Sequence, residues 1–477
     1  MSVPRATLLS LATTIVTAAT AFAQETPESS LSPGRGAPST ASPAVAPGAR
    51  AREGATSGQS GDGARTIALE DALRELDGQS LTQAQARART EEAAGLARQA
   101  LSAALPTLSA SGSYTRNSDA VRAPIGSLLR QLNPSAPATP DLVIQPLETF
   151  GANGTVRVPL IAPSAWADFA AARSAQEAAG ASAEAVRLQT RAALVQAAWT
   201  AGAGEEIVAA SERAVGSADE QVRLAERALA AGTGVPLSVL QARTELVKRQ
   251  SDLARARADL GRARLALGVL LGRAEPLRIP LAPAKPPAAV DARSLAEEAV
   301  GRRPEVRAAA GQEHAAERQL TSARLRLLPQ LSTSASAFAQ DVALPSGKNE
   351  GWKLTVDLTW QLYDGGLRYG RARQAQGAIA GARAAAEAQR VEIVQQVQDA
   401  ARDVAVATER LKLAQDQVKL AGEAAGTARR GFAAGISSSL DVLDANDRLY
   451  QSEVGLADAS ARLGIALAAL DRAAGQG

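Results

Sequence analysis

Residues 433–451 read AAGISSSLDVLDANDRLYQ, and residues 230–248 read AAGTGVPLSVLQARTELVK. Each stretch interrupts a helical pattern at a glycine and then resumes with apolar residues at heptad spacing. A shift of 203 residues superimposes Gly232 on Gly435, Leu237 on Leu440, Val239 on Val442 and Leu240 on Leu443. It also carries Val239, Leu246, Leu253, Leu260 and Leu267 onto Val442, Leu449, Leu456, Leu463 and Leu470. Both series step by seven, the seam spacing of a coiled coil. Alanines 242, 256 and 263 match alanines 445, 459 and 466. A heptad row alone specifies only a coiled coil. Its duplication around the same break specifies an internal repeat.

The helix that arrives at the second break keeps heptads too. Val397, Val404, Leu411 and Val418 form one row, and Ala400, Ala407, Ala414 and Ala421 a neighbouring one. No proline interrupts Gly370 to Ala434, so the pattern predicts a rod on the order of 100 Å at ~1.5 Å per residue. Ser164 to Ala231 predicts another. Gly232 and Gly435 then mark hairpin tips, where a left-handed residue ends a helix. Ser437 to Ser439 offer caps for one returning helix, and Pro236 suits the first turn of the other.

The far ends of the rods read differently. LPTLSASGSYT (105–115) and LPQLSTSASAF (328–338) each begin with a Leu-Pro break. WKLTVDLTWQL (352–362) alternates strictly, with Trp352, Leu354, Val356, Leu358, Trp360 and Leu362 on one face. Its length matches a tilted membrane-spanning strand of ~9–11 residues, although a sheet with one buried face alternates in the same way. FGANGTVRVPL (150–160) is its weaker counterpart. The first strand pair encloses a long loop, Arg116 to Thr149, and the second a short one. Nine of the thirteen aromatics lie in 107–169 and 330–370: Tyr114, Phe150, Trp166, Phe169, Phe338, Trp352, Trp360, Tyr363 and Tyr369. Such a concentration suits interfacial girdles. Four strands cannot close a barrel in lipid, so the sheet requires other copies.

Composition excludes other classes. Aromatics are 3% of the chain while alanine swells the apolar fraction, which favours long helices packed through small side chains. The net charge of +3 is small and the arginines alternate with acids, so nucleic acid is not an expected partner. With no cysteine and a single histidine, thiol chemistry and Cys/His zinc sites are excluded. His314, in GQEHAAERQL, reads as a solvated helix residue. No phosphate loop or nucleophile elbow occurs, and Asp441, Asp444 and Asp447 lack the central glycine of a calcium loop. The chain is not expected to be an enzyme, and no cofactor or metal site is expected.

Residues 1–23 carry an arginine, an apolar run and the small-x-small ending Ala21-Phe22-Ala23, predicting a cleaved signal peptide. Residues 24–64 are rich in Pro, Gly, Ser and Ala, a disordered lead. The expected organisation is then a first repeat over 65–272, a Pro-rich linker over 273–291, a second repeat over 292–472 and a tail over 473–477. Each repeat holds a helix, two strands and a helical hairpin.

GISSSLDVLDANDRLYQSE, LLPQLS before the third strand and WQLYDGG (360–366) after the fourth, in this order, resemble the TolC-type outer membrane efflux proteins. The resemblance implies mainly α structure with membrane β: antiparallel coiled-coil helices forming a periplasmic tunnel, and four strands per chain contributing to a 12-stranded trimeric barrel. It implies passive conduction, with a periplasmic adaptor and an inner membrane pump as partners and outer membrane lipid around the barrel. The tips (230–242 and 433–445) would form the gated periplasmic end, with Gly232, Thr233, Gly435, Ile436 and Ser437 docking the adaptor. Asp441 and Asp444 match family acids at the tunnel constriction. Repeated by a threefold axis they would form a negative ring; as helix N-terminal acids they would serve the dipole. Some members latch the closed tip with Tyr, Arg and Asp where this chain has Phe432, Ser437 and Ser238. The alternative reading is a soluble periplasmic coiled-coil scaffold or adaptor.

Overall fold

The computed structural model of the protein describes residues 64–133, 135, 142–287, 290–341 and 348–476. The expected signal peptide and all of the lead but Ala64 lie outside the described residues. In chain order the elements are β1 (Arg65–Thr66), α1 (Leu69–Gln79), α2 (Leu81–Ser102), β2 (Thr107–Arg116), β3 (Val121–Ala123), α3 (Ile125–Leu132), β4 (Leu142–Gln145) and β5 (Glu148–Ile161). There follow α4 (Pro163–Ala230), α5 (Pro236–Leu270), β6 (Leu277–Arg278), α6 (Ala292–Arg302), α7 (Pro304–Leu325), β7 (Gln330–Gln340), β8 (Glu350–Thr359), α8 (Leu367–Ala433) and α9 (Ser439–Ala473).

The helices α4 and α8, of 68 and 67 residues, are rods of roughly 100 Å. Each turns at its glycine and returns through a 35-residue partner, α5 or α9. The seam is built from the heptad rows: Val397, Ala400, Val404, Ala407 and Leu411 of α8 are buried with Ala459, Leu463, Ala466 and Leu470 of α9. Alanine lets the backbones approach. Two glycines bring helices closer still: a Cβ at Gly464 would run into the Trp199 ring, and one at Gly311 would stand 2.9 Å from Ala178. They let α4 pack directly on α9 and α7.

At the other end β2, β5, β7 and β8 form an antiparallel sheet in that order, so among the described residues β2 and β8 are free edges. β8 ends at Thr359, short of the expected 362. The chain leaves the sheet there because Asp364 turns it into α8: its carboxylate accepts from the Gly366 and Arg368 backbone N–H groups, both at 3.1 Å, and from Arg368 Nε at 2.7 Å. Gly365 and Gly366 take φ of 68° and 90° there. Phe338 departs from the expected girdle. Register puts it opposite Asn153 and Gly351, on the polar face, where the missing Cβ of Gly351 leaves room for its ring. The described parts of the long first loop contain β3, α3 and β4.

The Pro-rich linker packs on the helices. β6 pairs in parallel with β1, and Leu277 and Ile279 are buried against Leu76, Leu194 and Leu267. Glu205 of α4 anchors it, accepting from Arg278 at 2.8 Å and from Arg264 at 2.9 Å. Burial pushes the Glu205 carboxyl up, but those hydrogen bonds outweigh it and hold the pKa below its ordinary value. Among the described residues no helix is long and apolar enough to cross a membrane.

Candidate functional site

Both hairpin tips close with one set of backbone bonds. In the first, Gly232 N–H donates to Leu229 O and Thr233 N–H to Ala228 O, both at 3.0 Å. In the second, Gly435 N–H donates to Phe432 O at 3.0 Å and Ile436 N–H to Gly431 O at 2.8 Å. This is the Schellman arrangement, which requires a left-handed residue, and the glycines take φ of 76° and 74°. Thr233 is exposed, Ser437 is half-buried, and Ile436 is 85% exposed. Around them Val235, Leu237, Leu240 and Leu440 also present apolar side chains to the outside. Gly232 and Thr233 therefore sit at the first tip, and Gly435, Ile436 and Ser437 at the second.

Asp441 is the third helical residue of a capping box. Its carboxylate accepts from Ser438 N–H at 2.8 Å and from Ser438 Oγ at 2.7 Å, while Asp441 N–H donates to Ser438 Oγ at 3.2 Å. The two Ser438 hydrogen bonds hold the Asp441 pKa below its ordinary value. Asp444, one turn on, pairs with Arg448 at 2.9 Å. Both acids are exposed, and both serve their own helix first.

What periodicity and motif did not disclose is a polar clamp between the two hairpins. Arg249 of α5 has a side chain 5% exposed, and it reaches Glu245 at 2.7 Å, Asp252 at 3.4 Å and Asp447 of α9. Its guanidinium lies 4.6 Å from the Tyr450 ring centroid, a cation–π stack. Ser211 Oγ donates to Ile207 O, which leaves the Tyr450 hydroxyl to donate to Ser211 Oγ at 3.2 Å. Arg213 of α4 meets Glu453 of α9 at 3.0 Å, and Lys248 meets Asp447 at 3.4 Å. Arg213, Glu245, Arg249, Tyr450 and Glu453 border a cavity of about 320 Å³ lined also by Arg429 and Asn446. Burial raises the Asp447 pKa, but the Arg249 hydrogen bond and the Arg249 and Lys248 charges outweigh it and leave it low. The only sequence signal was charge at positions inside a heptad pattern, and the partners stand about 200 residues apart.

His314 is exposed on α7, its Nδ1 3.4 Å from Glu317. Among the described residues no group of three or more His, Cys, Asp or Glu side chains is placed to hold a metal ion.

Paired rods, a small open-edged sheet and glycine-tipped hairpins define the class of outer membrane channels with helical tunnels. The sequence agrees: the family model described as outer membrane efflux protein matches residues 73–273 and 295–476, and the chain belongs to that family. The fold resembles the outer membrane channel OprN, with a TM-score of 0.71, 21% identity, and coverage of 86% of this chain and 90% of that one. VceC from Vibrio cholerae gives 0.70, 22%, 86% and 96% on the same measures, and the open state of MtrE from Neisseria gonorrhoeae 0.69, 19%, 86% and 89%. None of the curated proteins matches this sequence. The protein is an outer membrane efflux channel, of a family whose members work with adaptor proteins and inner membrane pumps.

Proposed function

We propose that three copies assemble, each lending β2, β5, β7 and β8 to a 12-stranded barrel and its rods to a continuous tunnel. The observation that carries this reading is the sheet. It has two free edges, and its apolar face exposes Trp352, Leu354, Val356 and Leu358. Such a face is stable in lipid, where an unpaired edge is not. The edges β2 and β8 are both ten residues long, so the β8 of one copy can pair along the β2 of the next. Each chain is read as two repeats, 65–272 and 292–472, joined by 273–291 and ending in a tail over 473–477. Removal of residues 1–23 frees the lead that precedes the first repeat.

In this assembly six tips face the adaptor, which Gly232, Thr233, Gly435, Ile436 and Ser437 dock. Conduction is passive, and the chain performs no catalysis. Asp441 and Asp444, repeated by the threefold axis, ring the constriction, with Arg448 offsetting part of the charge at Asp444. The mass of the detergent-solubilised protein, corrected for bound detergent, tests the assembly. Three times the mature chain supports it; a monomer released without detergent overturns it. In planar bilayers Asp441→Asn with Asp444→Asn should lower cation preference, and an unchanged reversal potential removes the ring.

A further inference from the structure

The strand pairing fixes which side chains share the polar face of the sheet, and that face has an unequal charge. Opposed residues in an antiparallel pair lie on one face. Thr107 pairs with Arg157, Arg157 with Ser334, and Ser334 with Thr355, which gives one row across all four strands. The row above holds Ser109, Thr155, Ser336 and Lys353, and the row below holds Ser332 and Asp357. Hydroxyl and amide side chains make up most of this face. Within the paired rows its charged residues are Arg157, Lys353 and Asp357: two cations against one acid. Arg157 donates to Ser332 Oγ at 3.4 Å, so its partner is a neutral hydroxyl. Arg157 and Lys353 are exposed. From Lys353 to Asp357 the belt is about 13 Å tall at ~3.3 Å per residue. Arg157 and Asp357 lie toward the helices, and Lys353 near the middle of the sheet.

We infer that Arg157, Lys353 and Asp357 form a belt of net positive charge on the inner wall of the barrel, which enriches organic anions locally there, at the opposite end of the duct from the acidic ring proposed at the tips. The inference rests on the trimeric barrel proposed above, which turns the polar face inward and repeats the surplus three times. Rings of Arg or Lys select anions by the field they set up in the pore. In a pore this wide the field is partly screened by salt.

A native chain without cysteine permits a local test. Thr355→Cys places a thiol in the Arg157 row, and Val356→Cys, in a separate variant, places one on the opposite face. The trimer is reconstituted in liposomes, its mass verified, and each variant is treated with an anionic and a cationic methanethiosulfonate at low salt. The thiol at position 355 is expected to react with both reagents, with an anionic-to-cationic rate ratio higher than that of a free thiol in solution. The ratio of the two rates is expected to fall about threefold when Arg157→Gln and Lys353→Gln are added, from two charges ~10 Å away in screened water. Arg157→Lys is expected to keep the ratio. A trimer whose ratio ignores the Gln substitutions overturns the belt and leaves the barrel standing. Equal reactivity of the thiols at positions 355 and 356 in a protein that is not a trimer overturns the barrel, and the belt with it.

Discussion

The two hairpin tips share a backbone and differ in nearly everything attached to it. Positions 229, 232 and 233 bond as 432, 435 and 436 do. Space is divided differently. In the first tip Ala228 carries a side chain and Gly234 has none; a Cβ at Gly234 would stand 2.8 Å from Leu229 N. In the second, Gly431 is bare and the Ser437 side chain fills the space where a Gly431 Cβ would be. Entry into the returning helix differs too. Ser438 caps α9 with a full capping box, whereas its counterpart Val235 makes no side-chain cap and α5 relies on Pro236. Tip geometry is a backbone requirement that many side chains satisfy.

The side chains that diverge serve the join between hairpins. Arg249 corresponds to Ser452, and both are buried. Asp447 and Tyr450 correspond to Thr244 and Val247, which carry no charge or ring to match. The clamp therefore runs one way, from the return helix of the first hairpin to that of the second. Even the rung across each hairpin has changed, from the Glu226–Arg243 ion pair at 2.7 Å to an Arg429–Asn446 hydrogen bond at 3.0 Å.

Removing the centre of the clamp should have the largest effect. Arg249→Ala leaves Glu245, Asp252 and Asp447 facing one another, at an expected cost of about 2–3 kcal/mol; this is less than for a wholly buried pair because the acids keep some solvent. Thermal unfolding in detergent measures it, and spin labels on α5 and α9 should move apart; Ser452→Ala should do neither. Next comes Gly234→Ala, which presses a methyl on backbone and should cost about 1–3 kcal/mol. Adding Ala228→Gly should recover part of that by copying the second tip, and no recovery would separate the two geometries. Ser438→Ala should cost about 1 kcal/mol, read as faster amide exchange at the start of α9. Val235→Ser should stabilise α5 by less, since Pro236 already orders its first turn.

The smallest effect is the response to acid. Because Asp447 titrates below the ordinary range when folded, its contribution is complete above about pH 4 and fades as pH falls through the lower folded-state value. Spin-label distances across the clamp should widen only in that acid range, and Asp447→Asn should abolish the change.

Much of this architecture was legible in the linear sequence because its determinants are local. Glycine at 232 and 435, heptads on either side and alternation at 352–358 each act within a few residues. The Ser438–Asp441 box was legible as a helix start for the same reason. Phe338 was misplaced because strand alternation gives two faces without saying which is inward, and its place depends on Gly351 across the strand pair. The 273–291 segment read only as a Pro-rich linker because proline content says nothing of Leu277 and Ile279 meeting α1 and α4.

The sequence by itself determined two long helical hairpins and their tips, since periodicity and backbone chemistry are written in adjacent residues, and its motifs carried the resemblance to the efflux family. Only the tertiary structure decided which charges meet. Arg249 and Asp447 lie 198 residues apart in the chain and in contact in space. Ion pairs and strand register depend on how helices and strands are set beside one another, and that setting comes from packing the whole chain.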